Sequence, residues 1–171
     1  MIHEVIQKMI EYFGNDVRRI NHALKVYGFV STICRSEKLN QHEIDITEIA
    51  AILHDIGIPE AERKYNSCTG KYQEIEGPPI ARKLLAECSI AVDLVERVCY
   101  LIGNHHTYTK IDGTDFQILV EADFLVNIYE DEMDESTVES IRNKYFKTKT
   151  GLNVLDMAYR NSSQTQSKQL D

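Results

Sequence analysis

Apolar residues in this chain recur at intervals of three and four, the period of an amphipathic helix, and only three prolines and eight glycines interrupt them. A chain patterned in this way leaves little room for strands, so the spacing predicts an all-α fold. At roughly 150 residues per domain, 171 residues suit one domain with its own core. We expect a compact bundle of about seven or eight helices. It would occupy residues 1–161, followed by a polar tail over 162–171, SSQTQSKQLD, which carries no apolar pattern.

Local signals divide the bundle. A helix is expected over Ile2 to Phe13, with Gly14-Asn15-Asp16 as a stop and a fresh N-cap, and a long helix then runs to about Lys38 with Val26, Phe29 and Ile33 inward. Asp45 and Glu48 resemble a capping box and open a nearly all-apolar helix that ends near Ile56-Gly57-Ile58-Pro59. Residues 60–76 mix charge, Gly and Ser without sustained periodicity and read as a long crossing loop. Pro78-Pro79 suit the first turn of a helix to about Cys88. Further helices are expected from Ala91 to Asn104 or His105, Asp115 to Glu130, Ser136 to Phe146, and Leu152 to Arg160.

Composition removes several classes of function. Acidic residues number 27 against 19 basic ones, a formal charge of -8. A chain with that excess is not drawn to a nucleic-acid polymer or to anionic lipid by unspecific attraction. No apolar run approaches the 18 or so residues of a membrane span. The first residues carry acid inside their apolar stripe and no small-residue cleavage site, so a cytoplasmic protein is expected. Four cysteines without a CxxC pair argue against a zinc ribbon, a redox motif or a disulfide framework. The oligomeric state is not legible.

Several inward stripes turn polar where another aliphatic residue would have continued the core. His22 lies four residues before Val26 and seven before Phe29, and His54 and Asp55 follow Leu53 on a helix too apolar to expose much surface. His105 lies seven residues past Val98 with His106 beside it, and Asp123 falls between Leu119 and Val126. A buried carboxylate must be paired or must coordinate a cation. Each residue alone is compatible with local hydrogen bonds. Together, imidazole and carboxylate are the donors that suit a divalent transition metal, and one ion would satisfy all of them.

The order His22, then His54-Asp55 within HDIG, then Asp123 resembles the HD-domain metal-dependent phosphohydrolases over roughly residues 16–130. That resemblance implies His22, His54, Asp55 and Asp123 as ligands of one divalent ion, with Asp55 bridging if a second ion binds. His105-His106 followed by Asp112-Gly113 is similar to the HH…DG segment of the HD-GYP branch, in which such a pair and an upstream histidine hold a second ion. The upstream position is Gln73 here, and the rest of the GYP signature is missing. His105, His106 and Glu76 are therefore the candidate second-site ligands, with a carboxylate, Glu76 or Glu74, in place of the missing imidazole. Where the alarmone hydrolases and deoxynucleotide monophosphatases place an acid, three residues after the HD aspartate, this chain has Ile58.

The chemistry implied is hydrolysis of a phosphoester or pyrophosphate bond in a small substrate, with a nucleotide as the leading choice, by water activated at the ion. Mn, Fe, Co, Ni and Zn all accept this ligand set, and Mg is a further candidate. Asp55 at the ion, with Arg18, Lys25 and Lys71 as cations for the phosphate, form the expected catalytic set. The other reading is a regulatory module that binds metal or nucleotide without turnover, for which the missing acid at position 58 speaks.

Overall fold

The apolar spacing is realised as helix throughout. The structure, a computed structural model, describes residues 1–159, and among these it has nine α-helices, one 3-10 turn and no strand. The expected end of the last helix at Arg160 and the tail over 162–171 lie outside the described residues. No described helix is long and apolar enough to cross a membrane.

α1 (Ile2–Phe13) buries Val5, Met9 and Phe13, one residue per turn, and stops at Gly14, whose φ of 59° is costly for any residue with a Cβ. Asp16 then caps α2 (Val17–Ser36) by accepting from Arg19 N at 3.2 Å. α3 (Gln41–Leu53) begins one turn before the Asp45–Glu48 pair. The capping box is formed by Asn40 and Glu43, whose side chains each accept from the other's backbone N–H. Asp45 instead takes a hydrogen bond from Gln41, and Glu48 is buried against Arg35 at 2.6 Å. α3 is buried along almost its whole length and packs against α1, α2 and two later helices, α6 (Val92–Ile102) and α7 (Thr114–Glu130), so its C-terminal end delivers His54 and Asp55 to the middle of the molecule.

The stretch expected as a crossing loop is mostly helix, and this supplies the ninth element. α4 (Ile58–Tyr65) starts with Pro59 in its first turn and closes on Asn66 in the left-handed region, and α5 (Gly70–Ala86) follows after four residues. Its mixed charges are the solvated face of a helix: Glu60 pairs with Arg63 and Lys64 at helical spacing. Pro78 and Pro79 lie inside α5 rather than in its first turn. Two glycines fix how these helices meet. A Cβ on Gly57 would stand 2.6 Å from Gln73 O and from Gly77 N, and one on Gly77 would stand 2.6 Å from Ile102 Cγ2. The turn after Asp55 therefore lies backbone to backbone on α5, and α5 in turn lies on α6 (Val92–Ile102).

Past α6, the His105-His106 segment runs into a 3-10 turn at Tyr108–Lys110 and then α7 (Thr114–Glu130). Arg97 on α6 holds the entry to α7 with a fork onto Asp112 and a second onto Asp115. α8 (Glu135–Tyr145) and α9 (Lys149–Tyr159) complete the described chain. Between them Lys147 N and Thr148 N donate to the buried Glu121 of α7.

Candidate metal centre

The ends of α3 and α6, the second turn of α2 and the middle of α7 converge on one point. His22 Nε2 and His54 Nε2 face each other at 3.2 Å. Asp123 Oδ1 lies 3.2 Å from the first and 3.6 Å from the second, and Asp55 Oδ2 lies 3.6 Å and 3.5 Å away. The other oxygen of Asp55 stands 3.6 Å from His105 Nε2. His22, His54 and Asp123 form one cluster with ligand atoms within 4.8 Å of one another, and Asp55, His105 and His106 form a second. The Asp55 carboxylate thus stands between two clusters, one oxygen toward each. The imidazoles of His54 and His105 are sealed in and that of His22 is nearly so, whereas the side chains of Asp55 and Asp123 remain 19% and 14% exposed, so the centre opens on its carboxylate side.

Hydrogen bonds at the far side of each ring settle which nitrogen faces inward. His54 Nδ1 donates to Ala51 O and His105 Nδ1 to Ile102 O, both at 2.8 Å. His22 Nδ1 donates to Glu130 Oε2 at 3.0 Å. Carbonyls and carboxylates only accept, so each neutral ring carries its proton on Nδ1 and turns the Nε2 lone pair inward. His106 is set the other way round. Gln73 Nε2 donates to Cys68 O at 2.6 Å, which leaves Gln73 Oε1 as the acceptor for His106 Nε2 at 3.0 Å.

The residues fit a cation. His105 Nε2 is, among the described residues, a buried side-chain atom with no hydrogen-bond partner, and two imidazole lone pairs face each other across 3.2 Å with carboxylate oxygens at their side. Lone pairs converging without a donor are unfavourable unless a cation or protons lie between them. Electrostatics point the same way. Burial opposes charge on His54, but Asp55 and Asp123 outweigh it and raise its pKa to about 9. His22 is raised against the same opposition, chiefly by Asp123, while both aspartates are held below the usual carboxylate range, against burial, by the facing imidazoles. His106, half-buried beside His105, is pushed down to about 4 by desolvation and by its neighbour.

The remaining expected site residues divide. Arg18 lines a cavity of about 350 Å³ beside the centre, together with Asp16, Arg19, His22, Asp55, Ile58, Cys68, Asn127 and Glu130. Lys25 is held at 3.0 Å by Glu130, and Lys71 is exposed with its ammonium over the Tyr72 ring. Glu76 does not join the second cluster: its oxygens accept from Lys64 at 2.7 Å and Tyr65 at 2.8 Å. Glu74 accepts from His106 N and Thr107 Oγ1 and so fixes the segment that bears the histidine pair. Glu130 escaped the sequence reading. Its signal was its place seven residues after Asp123, on the same face of α7.

The HD domain family profile matches residues 19–142. This chain belongs to the HD-domain family. Its fold is also similar to that of a solved structure described as a predicted HD superfamily hydrolase from an uncultured Thermotogales bacterium. The TM-score is 0.66 and the identity 25%, over 92% of this chain and 84% of the other. A search of curated proteins finds no match. Membership of the HD-domain family gives the paired His/Asp clusters of this chain a common interpretation as places able to hold divalent metal.

Proposed function

We propose that this HD-domain protein is a metal-dependent phosphohydrolase acting on a small phosphorylated substrate. The observation that carries this reading is the pair of inward Nε2 atoms of His22 and His54, 3.2 Å apart beside Asp55 and Asp123, with each ring's other nitrogen already donating outward. His22, His54, Asp55 and Asp123 would hold one divalent ion. His105 and His106, with Asp55 shared, would hold a second. When bound, such an ion supplies Lewis acidity toward a phosphoryl oxygen and lowers the pKa of a coordinated water.

The chain's own residues do the rest. Ala51 O, Ile102 O and Glu130 keep three imidazoles in one tautomer, so the donor set is built before metal arrives. Asp55 and Asp123 add negative charge on the open side, where substrate enters. Asn127 donates to Asp123 Oδ1 at 2.9 Å and so directs the remaining lone pairs of that carboxylate. The test is hydrolysis of a panel of phosphomonoesters and nucleotides with Mn, Co, Ni, Zn or Mg added, alongside elemental analysis of the dialysed protein. Turnover that needs metal and is lost in Asp55→Ala is expected. A parent protein that holds metal and hydrolyses nothing would sink the reading.

A second reading rests on Ile58. It lines the cavity with an aliphatic side chain where related hydrolases place an acid to manage water, which favours a regulatory module that binds a phosphorylated ligand without turnover. The same panel distinguishes the two, because the regulatory protein would bind substrate analogues and leave them intact.

A further inference from the structure

The cavity beside the metal centre opens between the start of α2, the turn at Ile58, Cys68 ahead of α5, and the last turns of α7. Its charges are mostly committed to one another. Arg19 is tied to Asp16 at 2.8 Å and to Glu62 at 2.6 Å, and Glu130 is tied to Lys25 and His22. Arg18 is different: it lines the cavity, is exposed, and makes no hydrogen bond or ion pair among the described residues. We infer that this cavity is the binding site of a compact phosphomonoester whose phosphate is held by Arg18. The inference rests on the hydrolytic reading of the same centre and narrows its substrate class.

Charge and size both carry it. A phosphomonoester is a dianion near neutral pH, and one guanidinium beside a divalent centre suits it. Each further phosphate adds negative charge with no uncommitted cation among the lining residues to meet it. It would instead approach Asp16 and Glu130, whose like charge disfavours it in a partly enclosed cavity. The volume of about 350 Å³ lies near the lower end of small-molecule sites, which run from roughly 300 to 1,000 Å³. It has room for one phosphate and a modest body and is too small to enclose a dinucleotide, whereas discrimination against a chain of phosphates falls to charge. The planar fork of Arg18 meets two phosphoryl oxygens at once, which a lysine cannot do.

The test is calorimetric titration of the Mn-loaded protein with inorganic phosphate and with pyrophosphate, at constant free metal, for the parent, Arg18→Ala and Arg18→Lys. Arg18 is exposed and unpartnered, so both variants should keep the parent's melting temperature. Phosphate is expected to bind roughly 10- to 100-fold more weakly to Arg18→Ala, as for loss of a charge-assisted hydrogen bond, with partial recovery in Arg18→Lys. Pyrophosphate is expected to bind no more tightly than phosphate. Phosphate binding that is absent, or indifferent to Arg18, overturns the proposal, as does pyrophosphate binding at least about tenfold tighter than phosphate. If binding depends on Arg18 but no monoester is turned over, the subsite stands and the hydrolytic reading falls.

Discussion

At the scale of single residues, the centre depends on groups that touch no ligand. Glu130 shows this most directly. Its Oε2 takes the Nδ1 proton of His22, its Oε1 is held by Lys25, and it stands one further helical repeat along the face that carries Asp123. The other two sealed rings give their Nδ1 protons to neutral carbonyls. His22 is thus the ring of the three whose outer nitrogen is held by a carboxylate, and loss of such a partner commonly costs 10- to 100-fold in metal affinity. Glu130→Ala should therefore bind metal about 10- to 100-fold more weakly in a fluorescence competition titration, with its helical content unchanged by circular dichroism. Unaltered affinity would show that the bond to Glu130 is incidental. His22, His54, Asp55 and Asp123 were legible in the sequence because each breaks an apolar stripe. Glu130 breaks none: it sits at a helix end beside Asp131 and Glu132, where acid is ordinary, and its meaning depends on a partner 108 positions away.

At the scale of elements, the site is assembled by close approach of helices. The turn His54–Gly57 can deliver Asp55 between the two clusters only because Gly57 lies on the backbone of α5 at Gln73 and Gly77. A Cβ at Gly57 would meet main-chain atoms at two points on a packed helix, Gln73 O and Gly77 N, which cannot move aside, whereas a Cβ at Gly77 would meet one side-chain atom, the β-branch methyl of the buried Ile102. Gly57→Ala should therefore cost the upper end of the overpacking range, about 3 kcal/mol, and Gly77→Ala clearly less, as measured by urea unfolding of the metal-free protein. The reverse order would contradict this account of the packing. The same region shows where pattern reading stops. Residues 60–76 lack an apolar stripe because α4 is short and solvated on most of its surface, so its helicity comes from Pro59, an Asn66 stop and charge pairs at helical spacing. The prolines misled for a related reason. Pro78-Pro79 is locally a helix start, but here α5 is held on both sides, by Gly57 of the preceding turn and by Ile102 of α6, and runs through them. Long, half-buried helices such as α2 and α7 were legible almost to their ends, because burial imposes the periodicity that a reader of sequence detects.

At the scale of the whole molecule, a centre that needs positive charge couples metal, protons and stability. Without metal, protons supply that charge. The pKa of His54 is raised to about 9 in the folded chain against about 6.5 when unfolded. A raised histidine adds stability that is fully present below its unfolded pKa and is lost as pH climbs through the folded one. Asp55 and Asp123, held below their usual range, add stability that is present above about pH 3.9 and lost as pH falls. The cluster thus favours the metal-free fold most between about pH 4 and 6.5, and that contribution declines from there toward pH 9. Metal binding follows the opposite course, because the imidazoles must lose their protons to coordinate, so affinity rises over the same interval. An ion at a hundred times its Kd adds about 2.7 kcal/mol, or roughly 5 to 10 °C in melting temperature for a chain of this size. The difference in melting temperature between Mn-loaded and EDTA-treated protein should accordingly be small at pH 6 and widen steadily to pH 9. A difference that stays constant or narrows with rising pH would mean that metal and protons do not compete for these imidazoles, and the donor set would then lie elsewhere in the fold.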